Sequence, residues 1–178
     1  MTISPVLKYN HFGDTSATYS SSIGSLDART RVGLLTRNIK IVAGPSYSYG
    51  YTIYVYRMYD SVNDKVRVGN VKFDGVEMRN GGQEGFQSKA TVNFINVIGS
   101  VASSSITGSS FANCRSWCVR IQNSQNISLI SNILYKAVGV GIKIYTNIKS
   151  ATVTSNLIVG ISRNVTYLQK LTACVIYT

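Results

Sequence analysis

A repeat of 22–24 residues constrains this chain more than any other feature. Cys118-Val119-Arg120-Ile121 is followed 23 residues later by Gly141-Ile142-Lys143-Ile144. Asn164-Val165-Thr166-Tyr167 follows after another 23. In each, the second and fourth positions are apolar and the third is polar, the period-2 alternation of a strand with one buried face. A second segment repeats beside the first. Ile127-Ser128-Leu129 matches Ala151-Thr152-Val153 at a spacing of 24, and Asn132 matches Asn156. The run from Ser105 to Phe111 fits that frame at a spacing of 22, and Ala173-Cys174-Val175 fits it again.

A unit this short, with two or three strands and no helix, cannot bury its own inward side chains. Stacking successive units about 4.8 Å apart pairs every strand and aligns like residues. The repeat therefore predicts an all-β fold, a right-handed parallel β-helix of about five coils. Val119, Ile142 and Val165 would form one inward column, and Ile121, Ile144 and Tyr167 another. Asn132 and Asn156 would stack at a corner and hydrogen-bond from coil to coil. A β-sandwich would require the spacings to be coincidental.

Composition agrees with strands. The 178 residues are 44% hydrophobic, and their polar character comes from Ser, Thr and Asn more than from charge. The formal net charge is +11, unevenly placed. Residues 1–84 carry 10 basic and 7 acidic side chains; residues 85–178 carry 8 basic and none acidic. The second stretch alone can therefore supply neither a two-carboxylate glycosidase pair nor a carboxylate-bound cation. Arg120 and Lys143 should stack on one outward face, where they could contact an anionic polysaccharide. The alternative is a charged exterior that only keeps the solenoid soluble. Nucleic acid is not expected as a partner, since no recognition fold or arginine-rich run is present.

Before the coils, residues 1 to about 30 are turn-rich, and Val32 to Val42 is strand-like up to the turn at Gly44-Pro45. A tyrosine-dense stretch follows, with Tyr47, Tyr49, Tyr51, Tyr54, Tyr56 and Tyr59 around Ile53 and Val55. It reads as a half-buried strand, or as a stacking platform for sugar rings. Asp74 and Glu77, three apart with Gly75 between them, are the candidate acid/base pair; their alternative is a role as solvated turn charges or a pairing with Arg79. Asn126-Ile127-Ser128 and Asn164-Val165-Thr166 are N-glycosylation sequons. Cys114, Cys118 and Cys174 read as core or surface thiols, and a Cys114–Cys118 bridge would need a turn between them. One histidine, His11, and no second cysteine pair leave no metal site, and no cofactor is expected. No apolar run is long enough for a membrane-spanning helix, and the first residues lack a secretory pattern.

Several segments together resemble the fibrocystin family. Arg31-Val32-Gly33-Leu34-Leu35-Thr36-Arg37 resembles the strand closing that family's eight-glycine domain. The stretch from Leu7 to Gly13 is similar to its late His–Gly segment, and Val76-Glu77 through Gly82-Gln83 to its valine-glutamate strand. Ser105 to Ile144 resembles its β-helix repeats. The resemblance implies that residues 1–45 are the tail of the eight-glycine domain and that 46–178 are β-helix repeats. It implies an extracellular or cell-surface piece of a longer, membrane-anchored or secreted protein. It also brings in hyaluronan-degrading members. Two departures stand out: Arg31 replaces the usual acidic residue, and Ala90 to Gly99 lacks the histidines that those members carry. The leading expectation is a non-catalytic scaffold or ligand-binding module, with a glycan-depolymerising enzyme using Asp74 and Glu77 as the alternative. Ending inside a strand at Val175-Ile176-Tyr177-Thr178, the repeat array is expected to stack end to end on further chain or on another protein.

Overall fold

The computed structural model describes residues 33–45, 48–86, 88–99, 102–162, 166–171 and 174–177. Of the last two stretches only the backbone is described. The chain divides into two units, Met1–Gly33 and Leu34–Thr178. The fold below is that of the second unit.

The described residues contain strands and no helix. In chain order they are β1 (Ile39–Val42), β2 (Ile53–Asp60), β3 (Lys65–Val68), β4 (Lys72–Asp74), β5 (Val76–Arg79), β6 (Val92–Ile95), β7 (Ser104–Thr107) and β8 (Ser110–Cys114). There follow β9 (Val119–Gln122), β10 (Gln125–Ile130), β11 (Ile133–Ala137), β12 (Ile142–Thr154), β13 (Leu157–Ile161), β14 (Thr166–Leu171) and β15 (Cys174–Tyr177). They sort into three faces. Face 1 stacks β4, β7, β10, the end of β12 and β15. Face 2 stacks β1, β5, β8, β11 and β13. Face 3 stacks β2, β6, β9, the start of β12 and β14. Every pairing within a face is parallel, and the chain visits the faces in rotation. The arrangement is solenoid-like. Of the expected segment 1–45, residues 1–32 lie outside the described residues, while Ile39–Val42 pairs with β5 and opens face 2.

The alternation read from the sequence produces the core. Val92, Val119 and Ile142 are in register, as are Phe94, Ile121 and Ile144, all buried. Ile106, Leu129 and Val153 line face 1, and Met78, Phe111 and Leu134 line face 2. Each large side chain taken fully out of water contributes about 1.5–3 kcal/mol, so every coil has several such anchors.

Three register expectations change by one residue. Ile142 pairs with Thr166 and Ile144 with Leu168, so Val165 and Tyr167 are not the column members. Ile127 pairs with Ser104 rather than Ser105, and Ala151 with Cys174 rather than Ala173. The reason is physical. Connections vary in length between coils, and a one-residue slip exchanges the two faces of a strand; the run Ser103-Ser104-Ser105 and the apolar stretches around Tyr167 and Val175 do not distinguish the two frames.

Corners are made by residues in the left-handed region. Between faces 1 and 2 these are Gly75 (φ 61°), Gly108 (φ 55°), Ser131 (φ 55°) and Ser155 (φ 55°). Between faces 3 and 1, Asn96 (φ 55°) and Asn123 (φ 44°) do the same. Asn and Gly visit this region with little strain, which is why they punctuate the repeat. The Asn132–Asn156 expectation holds. Asn132 Nδ2 donates to Asn156 Oδ1 at 3.0 Å and to the Ile106 carbonyl at 2.8 Å, while its Oδ1 accepts from the Ser109 N–H at 3.0 Å. Ser109 Oγ continues the ladder by accepting from the Val76 N–H at 3.1 Å.

One element leaves the stack. β2 runs on past face 3 and turns back as β3, antiparallel, making a hairpin with Val62, 90% exposed, at its tip. Of β2 only Val55 is buried; Tyr54, Tyr56 and Tyr59 stay exposed, as the half-buried reading expected.

Candidate functional site

The outward row of face 3 carries the densest chemistry. Arg120 lies in register with Asn93 on one side and Lys143 on the other. Their inward neighbours Val119, Ile121, Ile142 and Ile144 are buried, so strand alternation turns both cations outward. The stacking expected of Arg120 and Lys143 is what the structure shows. Two like charges one strand apart repel, and the surroundings offset this. Arg120 Nε donates to Tyr145 Oη, its Nη1 donates to the Ser88 carbonyl at 3.1 Å, and its Nη2 donates to Gln122 Oε1. Lys143 Nζ sits 4.5 Å from the centre of the Trp117 ring and 5.3 Å from that of Tyr145. Desolvation, and after it the charge of Arg120, holds the Lys143 ammonium below the usual lysine range. Trp117, 6% exposed, packs with Ala90 and Val140 beneath Lys143, while Arg120 lies 5.2 Å from the centre of the Tyr145 ring. Gly139 lets the indole in, since a Cβ there would lie 2.7 Å from Trp117 Cδ1. Lys89 lies over Tyr54 on the same face, 5.6 Å from its ring centre. Cation–aromatic contacts of this kind contribute about 0.5–2 kcal/mol each.

Sequence reading found the two cations and missed the aromatic floor. The signal was present: Tyr145 stands two residues after Lys143 and shares its parity. Trp117 was hidden because it belongs to a turn, where alternation says nothing.

Asp74 and Glu77 do not make an open pair. They flank the Gly75 corner, Asp74 exposed on face 1 and Glu77 on face 2. Glu77 is 1% exposed although it points away from the core, because residues 34–37 cross over it. Arg79 Nη2 lies 2.6 Å from Oε1; Lys40 Nζ and the Arg37 N–H lie 3.5 Å and 3.2 Å from Oε2. Burial pushes this carboxyl up, but the Arg37 N–H and the charges of Arg79 and Lys40 outweigh it and hold it below the usual glutamate range. Such a group stays ionised and covered, the opposite of a general acid. The pairing with Arg79 is the reading the geometry favours.

Asn126 is half-buried in β10 with φ 58°, and Asn164 lies outside the described residues. Cys114 and Cys118 are buried free thiols in the core, on either side of the turn at residues 115–117. Burial, then a hydrogen bond with Cys114 and its charge, pushes the Cys118 thiol well up. Cys174 belongs to β15, of which only the backbone is described, and His11 lies outside the described residues. Among the described residues no three His, Cys, Asp or Glu side chains are grouped to hold a metal, and no helix is long and apolar enough to cross a membrane.

No family model and no solved structure matches the chain. Two curated proteins do. Fibrocystin-L of Homo sapiens is 31% identical over 153 residues, which are 79% of this chain and 4% of that protein. Fibrocystin-L of Mus musculus is 30% identical over 151 residues, which are 78% of this chain and 4% of that protein. The chain thus corresponds to a small part of these relatives. The expected likeness to the fibrocystin family is borne out at the level of the whole match: over most of its length this chain is fibrocystin-L-like in sequence.

Proposed function

We propose that this chain is a non-catalytic extracellular or cell-surface module, a right-handed parallel β-helix that serves as scaffold and as a weak binder of anionic polysaccharide. One observation carries the reading: Arg120 and Lys143 stand in register on an outward face within a stretch that has no carboxylate after Glu84. A polyanion approaching these later coils meets positive charge that no side-chain carboxylate of the same stretch offsets. Right-handedness is supported by a general rule. Parallel strands of one sheet joined by a crossover are right-handed in nearly all cases, and every connection within a face here is such a crossover. Similarity to a small part of fibrocystin-L supports a place within a longer membrane-anchored or secreted protein, with glycans on Asn126 and Asn164 and with further coils or another protein stacked on the ends.

The test is retention on immobilised heparin and hyaluronan across a salt series, wild type beside Lys143→Gln. Retention should fall steadily with added salt, and the variant should elute earlier. Retention that ignores salt would overturn the polyanion reading. Shortening of hyaluronan by the wild type, lost in Glu77→Gln, would overturn the non-catalytic one.

A further inference from the structure

Arg120 and Lys143 attract charge, but their donors are engaged by Tyr145, Gln122 and Ser88 and by the Trp117 ring. The neighbouring corner, from face 3 to face 1, is built differently. Two grooves lie there, of about 450 Å³ and about 430 Å³. They share Ile98 and Asn123 and so form one trough. Its first part lies between the β2–β3 hairpin and the coils, lined by Arg57, Tyr59 and Asn96. Its second part is lined by Gln125, Asn147 and Lys149. The register of the coils orders these groups. Asn96, Asn123 and Asn147 come from three successive coils, and Gln125 pairs with Lys149. With the hairpin strand as a fourth level, the trough follows the stacking axis for about 14 Å at about 4.8 Å per level.

Its chemistry is specific. No carboxylate lines either groove. Three asparagines and a glutamine present alternating amide donors and acceptors, the pattern that satisfies neighbouring hydroxyls. Asn123 Nδ2 donates to Asn96 Oδ1 at 2.8 Å, which fixes two of these amides. The side chains of Gln125, Asn147 and Lys149 have no hydrogen bond or ion pair with any described residue. Tyr59, exposed on the hairpin and hydrogen-bonded through its hydroxyl to Asp64, offers a ring face. Arg57 stands at one end and Lys149 towards the other.

We infer that this trough between the hairpin and the face 3–face 1 corner is a binding site for a short acidic oligosaccharide, its hydroxyls held by the amide row and its anionic groups by Arg57 and Lys149. The inference rests on the polyanion reading for the ligand class and goes beyond it in the site. A peptide would call for deeper apolar sockets or an open strand edge, and a nucleic acid for more cations along the wall.

The experiment is a titration of the 178-residue chain with a heparin-derived hexasaccharide, followed by 15N-resolved NMR. Cellohexaose is the neutral control. The side-chain amides of Asn96, Asn123, Gln125 and Asn147 should shift. Arg57→Ser and Lys149→Ser should each weaken binding about fivefold, the effect of one lost exposed charge contact. Lys72→Gln, exposed on face 1 and outside the trough, should leave it within about twofold, and cellohexaose should bind far more weakly. Shifts confined to Trp117, Tyr145 and their neighbours would overturn the inference while leaving the polyanion reading standing. Equal binding of cellohexaose, or equal affinity in the Arg57 and Lys149 variants, would overturn it too.

Discussion

Replacing Asn132 with Ala should remove the strongest device that fixes one coil upon the next. The side chain is buried, donates to Ile106 and Asn156, and accepts from Ser109. Alanine leaves the buried Ser109 N–H without a partner, while the Ile106 carbonyl keeps its place in the parallel ladder to β10. Asn156 Oδ1 keeps the Asn132 backbone N–H at 3.0 Å, so its loss is smaller. A buried donor left unsatisfied costs about 1–3 kcal/mol, and the lost donations of the Asn132 amide add about 1 kcal/mol, so the replacement should cost about 2–4 kcal/mol. That is a large share of the roughly 5–15 kcal/mol that holds a typical domain folded. In urea, with a slope of about 2 kcal/mol per molar, the midpoint should fall by more than about 1 M. Trp117, the only tryptophan and nearly buried, is the fluorescence probe. Ser128→Ala, on the outward side of the preceding strand β10, is the control and should stay within about 0.5 kcal/mol of wild type. If Asn132→Ala behaves like that control, the amide is not bonded between coils and the reasoning from the ladder fails.

Other outcomes follow from the same structure. Gly139→Ala should destabilise the chain and shift Trp117 emission, because Gly139 has φ 130° and a Cβ there would lie 2.7 Å from the indole; unchanged emission and stability would refute the packing described for face 3. Glu77 has a folded-state pKa below its ordinary 4.5. Its ion pairs therefore stabilise fully above that value, and the contribution is lost as pH falls through the depressed folded pKa. Glu77→Gln should flatten the acid limb of stability against pH, and an unaltered limb would contradict the clasp. Alkylation mapped by mass spectrometry should label Cys114 and Cys118 slowly in the native chain and readily in urea, as buried free thiols do; rapid native labelling would place them at the surface.

The stacking was legible because the repeat is written in apolar parity. Ile121 above Ile144, and Leu129 above Val153, follow from alternation alone, and the corner pair Asn132 and Asn156 follows from its recurrence at the coil spacing and the capacity of stacked amides to bond to one another. The register at β14 and β15 was not legible, because connections of unequal length leave two frames open in an apolar stretch. Glu77 misled for another reason. Its partners Arg37 and Lys40 come from residues about 40 earlier in the chain, and no local pattern announces that a segment will fold across an outward strand. Of the outward face, the cations were found by parity, while Trp117 and the hairpin wall of the corner trough were not, since turns and antiparallel excursions break the period on which the reading depends.

The central claim is the parallel stacking of coils at a repeat of 23–24 residues. Inter-strand nuclear Overhauser contacts in an isotopically labelled chain test it most directly. The structure requires backbone contacts joining Ile127 to Ala151 and Leu129 to Val153 on face 1, and Ile121 to Ile144 on face 3, all in the parallel pattern. Antiparallel contacts among these strands, or a register displaced by one residue at both faces, would contradict the coil architecture and every site built upon it.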